Sequence, residues 1–298
     1  MCRVSRYRII SLLLLGILYI APAMATDSRT PLAVSYAGFA TPESIEYYAD
    51  KDVYLVSNIN GDPFAADDNG FISMVSPSGE LLNLKWIDGA RADTTLNAPK
   101  GMTILGQRLY VADINQIQVF SLPDGKQVNS ITIYGSTFLN GMTPGLSGDY
   151  LYVTDSGYLA GFKPSGTDAI YKMYANGQTE TISKNNSIGH PNGIWEEGSR
   201  IVLVTFGSGK MFSLSRSGTY QSMPMPPEGG LDGLLRLDDG RFLISSWKGS
   251  AIYILNNDNT FSVLMDSLDA PADMGFDTKR QRVLVPLFRQ NRLIFIPL

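Results

Sequence analysis

The sequence predicts an all-β protein, a six-bladed β-propeller with four antiparallel strands in each blade. Short apolar runs rich in Val, Ile, Tyr and Phe alternate with clusters of Gly, Asn, Asp, Ser and Pro, which is typical of strands and turns. A similar unit recurs six times, and its mean length of about 45 residues matches one propeller blade. Because no linker or low-complexity stretch divides residues 26–298, we expect them to form one propeller.

Each unit begins with a polar residue, here called its anchor, which is generally followed by a small residue and then an apolar one. The anchors lie 57, 40, 52, 40 and 41 residues apart. They are Glu43, Lys100, Asn140, Asn192, Asp232 and Asp273. A second β-rich run follows each anchor after roughly ten residues, beginning at Val53, Leu109, Leu151, Ile201, Phe242 and Val283. The third runs are GFISMVSPSGE, QIQVFSLPDGK, GYLAGFKPSG, KMFSLSRSGT, AIYILNNDNT and RLIFIPL.

The last unit contains only three predicted strands, because the chain ends at Leu298 directly after the third. A blade without its outer strand would expose unpaired backbone groups along its edge. The β-rich segment PLAVSYAGF precedes the first anchor and belongs to no unit. We therefore predict that residues near Leu32 to Tyr36 supply the missing strand and close the last blade.

Residues 1–25 read as a secretory signal peptide. Three arginines precede an apolar segment, Ile9 to Ile20, that is too short for a comfortable membrane span. Ala23-Met24-Ala25 has the small-x-small pattern of a cleavage site. We expect a secreted or periplasmic protein with no membrane span after cleavage, and an uncleaved anchor is the alternative.

Cleavage would also change the charge and the cysteine content. It removes three arginines and no acidic residue, so the formal net charge changes from −4 to −7. This charge disfavours nucleic acid and anionic membranes as partners. The single cysteine, Cys2, would leave with the signal, so no disulfide or thiolate metal site is expected.

In a propeller the first strand of each blade lines the central channel, so the six anchors are expected at one mouth of that channel. Three carboxylates and one lysine give this ring a formal charge of −2. Hard oxygen ligands without thiolate or histidine suit calcium, magnesium or manganese. The alternative is that the anchors are solvated polar groups and that Asn-Gly and Asp-Gly only shape turns.

At these anchors the chain resembles the senescence marker protein/gluconolactonase family, also called regucalcin-like. This family belongs to a wider group with paraoxonases and strictosidine synthases. Glu43 in TPESI, Asn192 in HPNGI and Asp232 in LDGLLRLDDGRF match the family's metal ligands, and Asn140 in LNGM matches a further asparagine near metal or substrate. The arginine and asparagine that hold a sugar lactone in the family have no clear counterpart.

The resemblance implies one divalent cation in the channel, calcium by preference and otherwise zinc, manganese or magnesium. It also implies hydrolysis of a lactone or related ester, with Asp232 as the main catalytic base and Asp273 as a second. Lys100 is expected either to stabilise an oxyanion or to pair with Glu43 or Asp232 and close the ring. His190, two residues before Asn192, is a candidate substrate contact. The alternative function is a non-catalytic binding propeller of the NHL type that recognises protein or glycan.

Overall fold

Strands account for all the regular secondary structure in the part of the chain that the computed structural model describes, which is Met1, residues 30–35 and residues 38–298. They form six four-stranded antiparallel sheets and one small two-stranded sheet. The predicted all-β, six-bladed propeller is confirmed. Among the described residues there is no helix that could span a membrane. The predicted signal peptide, residues 1–25, lies outside the described residues apart from Met1 and stays a prediction.

The strands of each blade follow one another from the channel outward. The chain first contributes β1 (Leu32–Ser35) to the last blade. Blade 1 comprises β2 (Pro42–Tyr48), β3 (Val53–Asn58), β4 (Phe71–Val75) and β5 (Leu81–Asp88). Blade 2 comprises β6 (Pro99–Leu105), β7 (Arg108–Asp113), β8 (Gln116–Ser121) and β9 (Gln127–Thr132).

Blade 3 carries a small insertion between its second and third strands. It comprises β10 (Leu139–Pro144), β11 (Tyr150–Asp155), the inserted hairpin β12 (Tyr158–Leu159) and β13 (Lys163–Pro164), then β14 (Ala169–Tyr174) and β15 (Thr179–Lys184). The segment GYLAGFKPSG therefore forms the inserted hairpin. Its interpretation as the third strand was wrong, because that strand begins at Ala169 and pairs with β11.

The remaining blades are regular. Blade 4 comprises β16 (Pro191–Glu197), β17 (Arg200–Thr205), β18 (Met211–Ser215) and β19 (Tyr220–Ser222). Blade 5 comprises β20 (Leu231–Arg236), β21 (Phe242–Ser246), β22 (Ala251–Leu255) and β23 (Phe261–Met265). Blade 6 comprises β24 (Gly275–Asp277), β25 (Arg282–Leu287) and β26 (Arg292–Pro297).

The N-terminal strand closes the last blade, as predicted. β1 pairs antiparallel with β26, from Leu32 opposite Phe295 to Ser35 opposite Arg292. This pairing joins the beginning and end of the described propeller and satisfies the outer edge of blade 6. Tyr36, the last residue of the predicted strand, lies outside the described residues.

The hydrophobic core of the described residues is divided among the blade interfaces. Six clusters of buried apolar side chains occur, and each joins residues of two neighbouring blades. The inner strands are buried because neighbouring blades cover both of their faces, as in β16, whereas the outer strand β15 is largely exposed. Burial between the blades thus holds the inner strands around the channel, where the anchors lie.

Candidate functional site at the channel mouth

Five of the six anchors sit in β-bulges at the start of the inner strands. The pairing register shifts between Pro42 and Ile45 in β2, and at the equivalent positions of β6, β10, β16 and β20. A bulge leaves its extra residue out of the ladder and turns that side chain in a new direction. The sixth anchor, Asp273, precedes β24 and forms an isolated parallel bridge with Ser44.

The glycine after an anchor allows the next blade to approach. A Cβ on Gly141 would lie 2.3 Å from the carbonyl oxygen of Asn192, and a Cβ on Gly193 would lie 2.5 Å from that of Asp232. Neither glycine has a positive φ angle. The Asn-Gly pairs therefore lie within bulged strands and permit close contact between blades, so the turn-shaping interpretation was wrong.

Five anchors meet at one narrow cavity of about 60 Å³. Its wall includes Glu43, Lys100, Asn140, Asn192 and Asp232. Each of these side chains is buried, with Lys100 only 1% exposed and Glu43 and Asn140 each 5% exposed. They form the floor of the cavity, and the structure thus brings together five of the residues predicted from the repeat.

Three oxygen atoms of the floor have no hydrogen-bond partner. They are Glu43 Oε2, Asn140 Oδ1 and Asn192 Oδ1, and all three are buried. Both asparagine amides are fixed through their nitrogen atoms, because Asn140 Nδ2 donates to Ser156 Oγ at 3.1 Å and Asn192 Nδ2 donates to Asp232 Oδ1 at 3.0 Å. Buried polar atoms are usually satisfied, so unpartnered oxygens at one cavity indicate a site for a donor or a cation.

Lys100 is held away from the carboxylates of the floor. Its Nζ atom donates to the carbonyl oxygens of Ala98 at 2.9 Å and Pro63 at 3.1 Å, and it lies 4.3 Å from the centre of the Phe138 ring. The ion pairs between described residues include none from Lys100 to Glu43 or Asp232. The expected alternative in which Lys100 closes the ring by salt bridges therefore does not match this arrangement.

The environment of the floor raises the pKa values of its acids. Burial, then the charges of Asp232 and Asp273, raise the pKa of Glu43 well above its usual value, and Lys100 opposes this. Burial and the charge of Asp273 likewise raise the pKa of Asp232. Burial lowers the pKa of Lys100 to about 8. Clustered acids with raised pKa values are a feature of functional sites.

Asp273 lies next to the floor and is not part of the cavity wall. Its Oδ2 atom accepts a hydrogen bond from Ser44 Oγ at 2.8 Å, which joins blades 1 and 6. Burial raises its pKa to about 6. From outside the cavity, the charge of Asp273 still raises the pKa values of Glu43 and Asp232.

His190 lies behind the wall. Its ring stacks on Tyr158 with 4.1 Å between the ring centres, and Nδ1 is 2.7 Å from the carbonyl oxygen of Ser156. Tyr158 lines the cavity, whereas His190 does not. His190 thus supports a wall residue, and its predicted contact with substrate stays a prediction.

Sequence reasoning missed the aromatic rim of the cavity. The wall above the floor contains Phe138, Tyr158, Phe162, Phe206, Trp247 and Phe288. Phe206, Trp247 and Phe288 each follow the second strand of their blade directly, so the same repeat that located the anchors contained this signal. Trp195, by contrast, packs against the core clusters between blades.

Buried aspartates hold the loops that lead into the anchors, and these were also missed. Asp113 accepts from the backbone amides of Asn97 and Ala98 at 3.0 and 2.8 Å. Asp155 accepts from the backbone amide of Phe138 at 2.9 Å. These bonds fix the backbone two or three residues before Lys100 and two residues before Asn140.

The donor set fits a hard cation only if amide oxygens take part. Among the described residues no group of three or more His, Cys, Asp or Glu side chains could hold a metal ion. Two carboxylates, Glu43 and Asp232, and the free amide oxygens of Asn140 and Asn192 line the floor. Calcium accepts carboxylate, amide and water oxygens in flexible geometry, so these residues fit such an ion.

Comparison with known proteins identifies the fold. No family model matches the chain, and no curated protein matches it. A gluconolactonase from Xanthomonas campestris is similar in structure, with 15% identity, a TM-score of 0.67 and coverage of 89% of each chain. The virginiamycin B lyase from Staphylococcus aureus in its structure with quinupristin has 15% identity and a TM-score of 0.62, covering 90% of this chain and 99% of that one.

A streptogramin B lyase gives the same result, with 13% identity, a TM-score of 0.63 and coverage of 91% of this chain and 99% of that one. At such identities the similarity shows the fold alone. The resemblance expected from the anchors is confirmed in that sense, because the chain has the six-bladed propeller fold of gluconolactonase.

Proposed function

We propose that the channel mouth binds one divalent cation and hydrolyses a lactone or related ester. One observation carries this proposal: three buried oxygen atoms without partners, on Glu43, Asn140 and Asn192, line the same cavity as the Asp232 carboxylate. A similar fold in a gluconolactonase supports it.

Glu43, Asn192 and Asp232 would hold the cation, with Asn140 beside them. Calcium is favoured because every donor is a hard oxygen, and zinc, manganese or magnesium are the alternatives. A bound cation of this kind polarises a carbonyl group and lowers the pKa of water.

The side chains of the floor would supply the remaining chemistry. Asp232 would accept the proton of the attacking water, held in position by its bond from Asn192. The Lys100 ammonium, with two carbonyl partners and an aromatic face, is fixed where a developing oxyanion could be stabilised. Asp273, outside the wall, is the second candidate base.

The test is thermal unfolding of the metal-stripped protein, titrated separately with calcium, magnesium, manganese and zinc. A ligand at 100 times its Kd adds about 2.7 kcal/mol to the free energy of unfolding. For a chain of this size, that raises Tm by roughly 5–10 °C. The shift should disappear in Glu43→Gln and persist in Glu80→Gln, whose side chain lies in an exposed turn.

A cation-dependent shift would then justify screening lactones and esters for hydrolysis. If none of the four cations raises Tm, the metal-dependent hydrolase is excluded. The NHL-type binding propeller, which requires no metal, would then be the better interpretation. The unpartnered oxygens of Glu43, Asn140 and Asn192 favour the cation site over that alternative.

A further inference from the structure

The upper wall of the cavity consists largely of aromatic rings from four blades. Trp247 of blade 5 contacts Phe206 of blade 4 and Phe288 of blade 6, with ring centres 5.2 and 5.0 Å apart. These three residues, here called the first aromatic cluster, come from equivalent positions in consecutive blades. They form a continuous apolar surface in the cavity that Asp232 also lines.

A second aromatic cluster comprises Phe138, Tyr158 and Phe162. Their ring centres lie between 5.5 and 6.2 Å apart. Tyr158 and Phe162 belong to the hairpin inserted in blade 3. Phe162 is 52% exposed and Phe138 only 5%, so the cluster extends from the surface down to the floor.

The long connection in blade 1 completes this side of the cavity. Pro63 lines the wall, and the Phe64 ring contacts Phe138 at 4.9 Å and Phe162 at 5.1 Å. The two longest anchor spacings, in blades 1 and 3, are thus explained by two insertions that meet over the channel mouth. Both insertions contribute apolar surface to the cavity.

Charged and amide groups of the cavity are confined to its floor. The upper wall offers only two polar side-chain groups, the Tyr158 hydroxyl and the Trp247 indole N–H. The indole Nε1 is buried without a hydrogen-bond partner, and Trp247 lines the same cavity as Asp232. A polyhydroxylated ring would therefore bury hydroxyl groups against carbon atoms, which is unfavourable without hydrogen bonds.

We infer that the substrate is a small lactone or ester carrying an aryl or alkyl group. This inference rests on the proposed function. The carbonyl group faces the floor. The apolar group lies between the two aromatic clusters at the exposed mouth beside Phe162, because a cavity of about 60 Å³ is too small to enclose a phenyl ring. Water oxygen bonds to the carbonyl carbon, the acyl C–O bond breaks, and the released oxygen takes a proton. A lactone yields one hydroxy acid, and an open ester yields an acid and an alcohol.

Trp247 is the residue that connects the two regions of the cavity. Its ring belongs to the first aromatic cluster, and its side chain lines the same cavity as the floor residue Asp232. It is therefore a specificity-determining residue whose ring contacts the apolar group of the substrate. Its buried N–H group has no hydrogen-bond acceptor and can donate to a substrate oxygen.

The test compares γ-phenyl-γ-butyrolactone with D-glucono-δ-lactone as substrates of the cation-loaded protein. We expect kcat/KM to favour the phenyl lactone by at least about 100-fold, the range in which apolar pockets discriminate. Phe206→Ala and Phe288→Ala should each lower kcat/KM for the phenyl lactone by about tenfold, mainly through KM. Both should keep the cation-dependent rise in Tm. Trp86→Phe, on the outer strand β5, is the control and should change neither value.

A second measurement separates this inference from the proposed function. Calorimetric titration of the metal-free protein with each lactone reports binding without turnover. Binding of the phenyl lactone alone, lost in Phe206→Ala, would support the apolar cavity even if no hydrolysis occurred. Equal or better hydrolysis of gluconolactone, or unchanged KM in both alanine variants, would overturn the inference while leaving the hydrolase intact.

Discussion

The amide nitrogen of Asn192 donates to Oδ1 of Asp232 at 3.0 Å, although the two residues belong to neighbouring blades. This bond fixes the amide so that its oxygen is left without a partner. Asp232 is thus hydrogen-bonded to a neutral amide and not to a positively charged side chain. The two residues thereby act as one unit, in which the orientation of one ligand depends on the other.

Asn192→Asp tests this unit. The substitution replaces the donor with a second carboxylate against Asp232, so repulsion should destabilise the metal-free protein by about 3 kcal/mol. A divalent cation should restore much of the loss, because it neutralises both carboxylates. Thermal unfolding with EDTA and with calcium measures the difference. An equal loss of Tm in both conditions would contradict a cation site between the two blades.

Gly193 tests the close approach of blades 4 and 5. A Cβ at this position would lie 2.5 Å from a backbone oxygen, so Gly193→Ala should destabilise the protein by about 3 kcal/mol through overpacking. Gly218→Ala is the control, because its Cβ meets nothing within 4 Å and only its φ of +80° is unfavourable. That variant should cost about 1 kcal/mol. Urea unfolding of both variants should separate the two costs.

The two candidate bases should differ in their effect on catalysis. Asp232 lines the cavity, whereas Asp273 lies outside it and is held by Ser44. We expect Asp232→Asn to lower kcat by about 10²–10⁴-fold, as for loss of a general base. Asp273→Asn should lower it much less. Hydrolysis rates with the best lactone or ester measure both, and a larger loss in Asp273→Asn would reverse the assignment.

Two neighbours on β1 test how the propeller closes. Val34 is buried in a cluster with Phe295 and other side chains of blades 1 and 6, while Ala33 is exposed. Val34→Asp should lower stability by about 3 kcal/mol, because it buries an unpaired charge. Ala33→Asp, the matched control on the opposite face, should change stability by less than about 0.5 kcal/mol. Similar Tm values for the two variants would show that β1 does not contribute to closure.

The sequence allowed the blades, the closing strand and five floor residues to be predicted, because one repeat determines all of them. Spacing along the chain was less reliable where a connection had lengthened. The hairpin at 158–164 resembled a strand in composition, and the true third strand begins only at Ala169. The two short β-rich runs of this hairpin pair with each other and not with the sheet. The residue pattern alone is the same for both kinds of pairing.

Side-chain direction explains the other differences. His190 is close to Asn192 in sequence, but it has a positive φ of 62° and its ring stacks on Tyr158. Trp195 and Trp247 each follow an anchor, yet only Trp247 lines the cavity. An aromatic residue near a strand end packs equally well between blades or beside the channel, so sequence alone could not separate the two.

The pH dependence of stability gives a test of the channel acids. Burial raises the pKa of Glu46, three residues after Glu43, from 4.5 to about 8. Burial raises that of Asp273 from 3.8 to about 6. The native state therefore keeps protons that the unfolded state releases, so the free energy of unfolding falls as pH rises from about 4 to 8. Lys100, with a pKa lowered to about 8, acts in the opposite direction from about pH 7 upward, so it offsets part of the fall near pH 8.

Urea unfolding of the metal-free protein at pH 5, 6.5 and 8 measures this slope. Glu46→Gln should reduce the fall between pH 6.5 and 8, because Asp273 is largely ionised there and Glu46 is still gaining charge. Part of the fall should remain, because burial also raises the pKa values of Glu43 and Asp232. Glu80→Gln, in an exposed turn, is the control and should keep the wild-type slope. A stability that does not fall with pH in wild type would mean that these carboxyl groups are already charged in the native channel. In that case the floor carboxyl groups would hold no protons that a cation has to displace. The affinity of the site for the cation would then be independent of pH in this range.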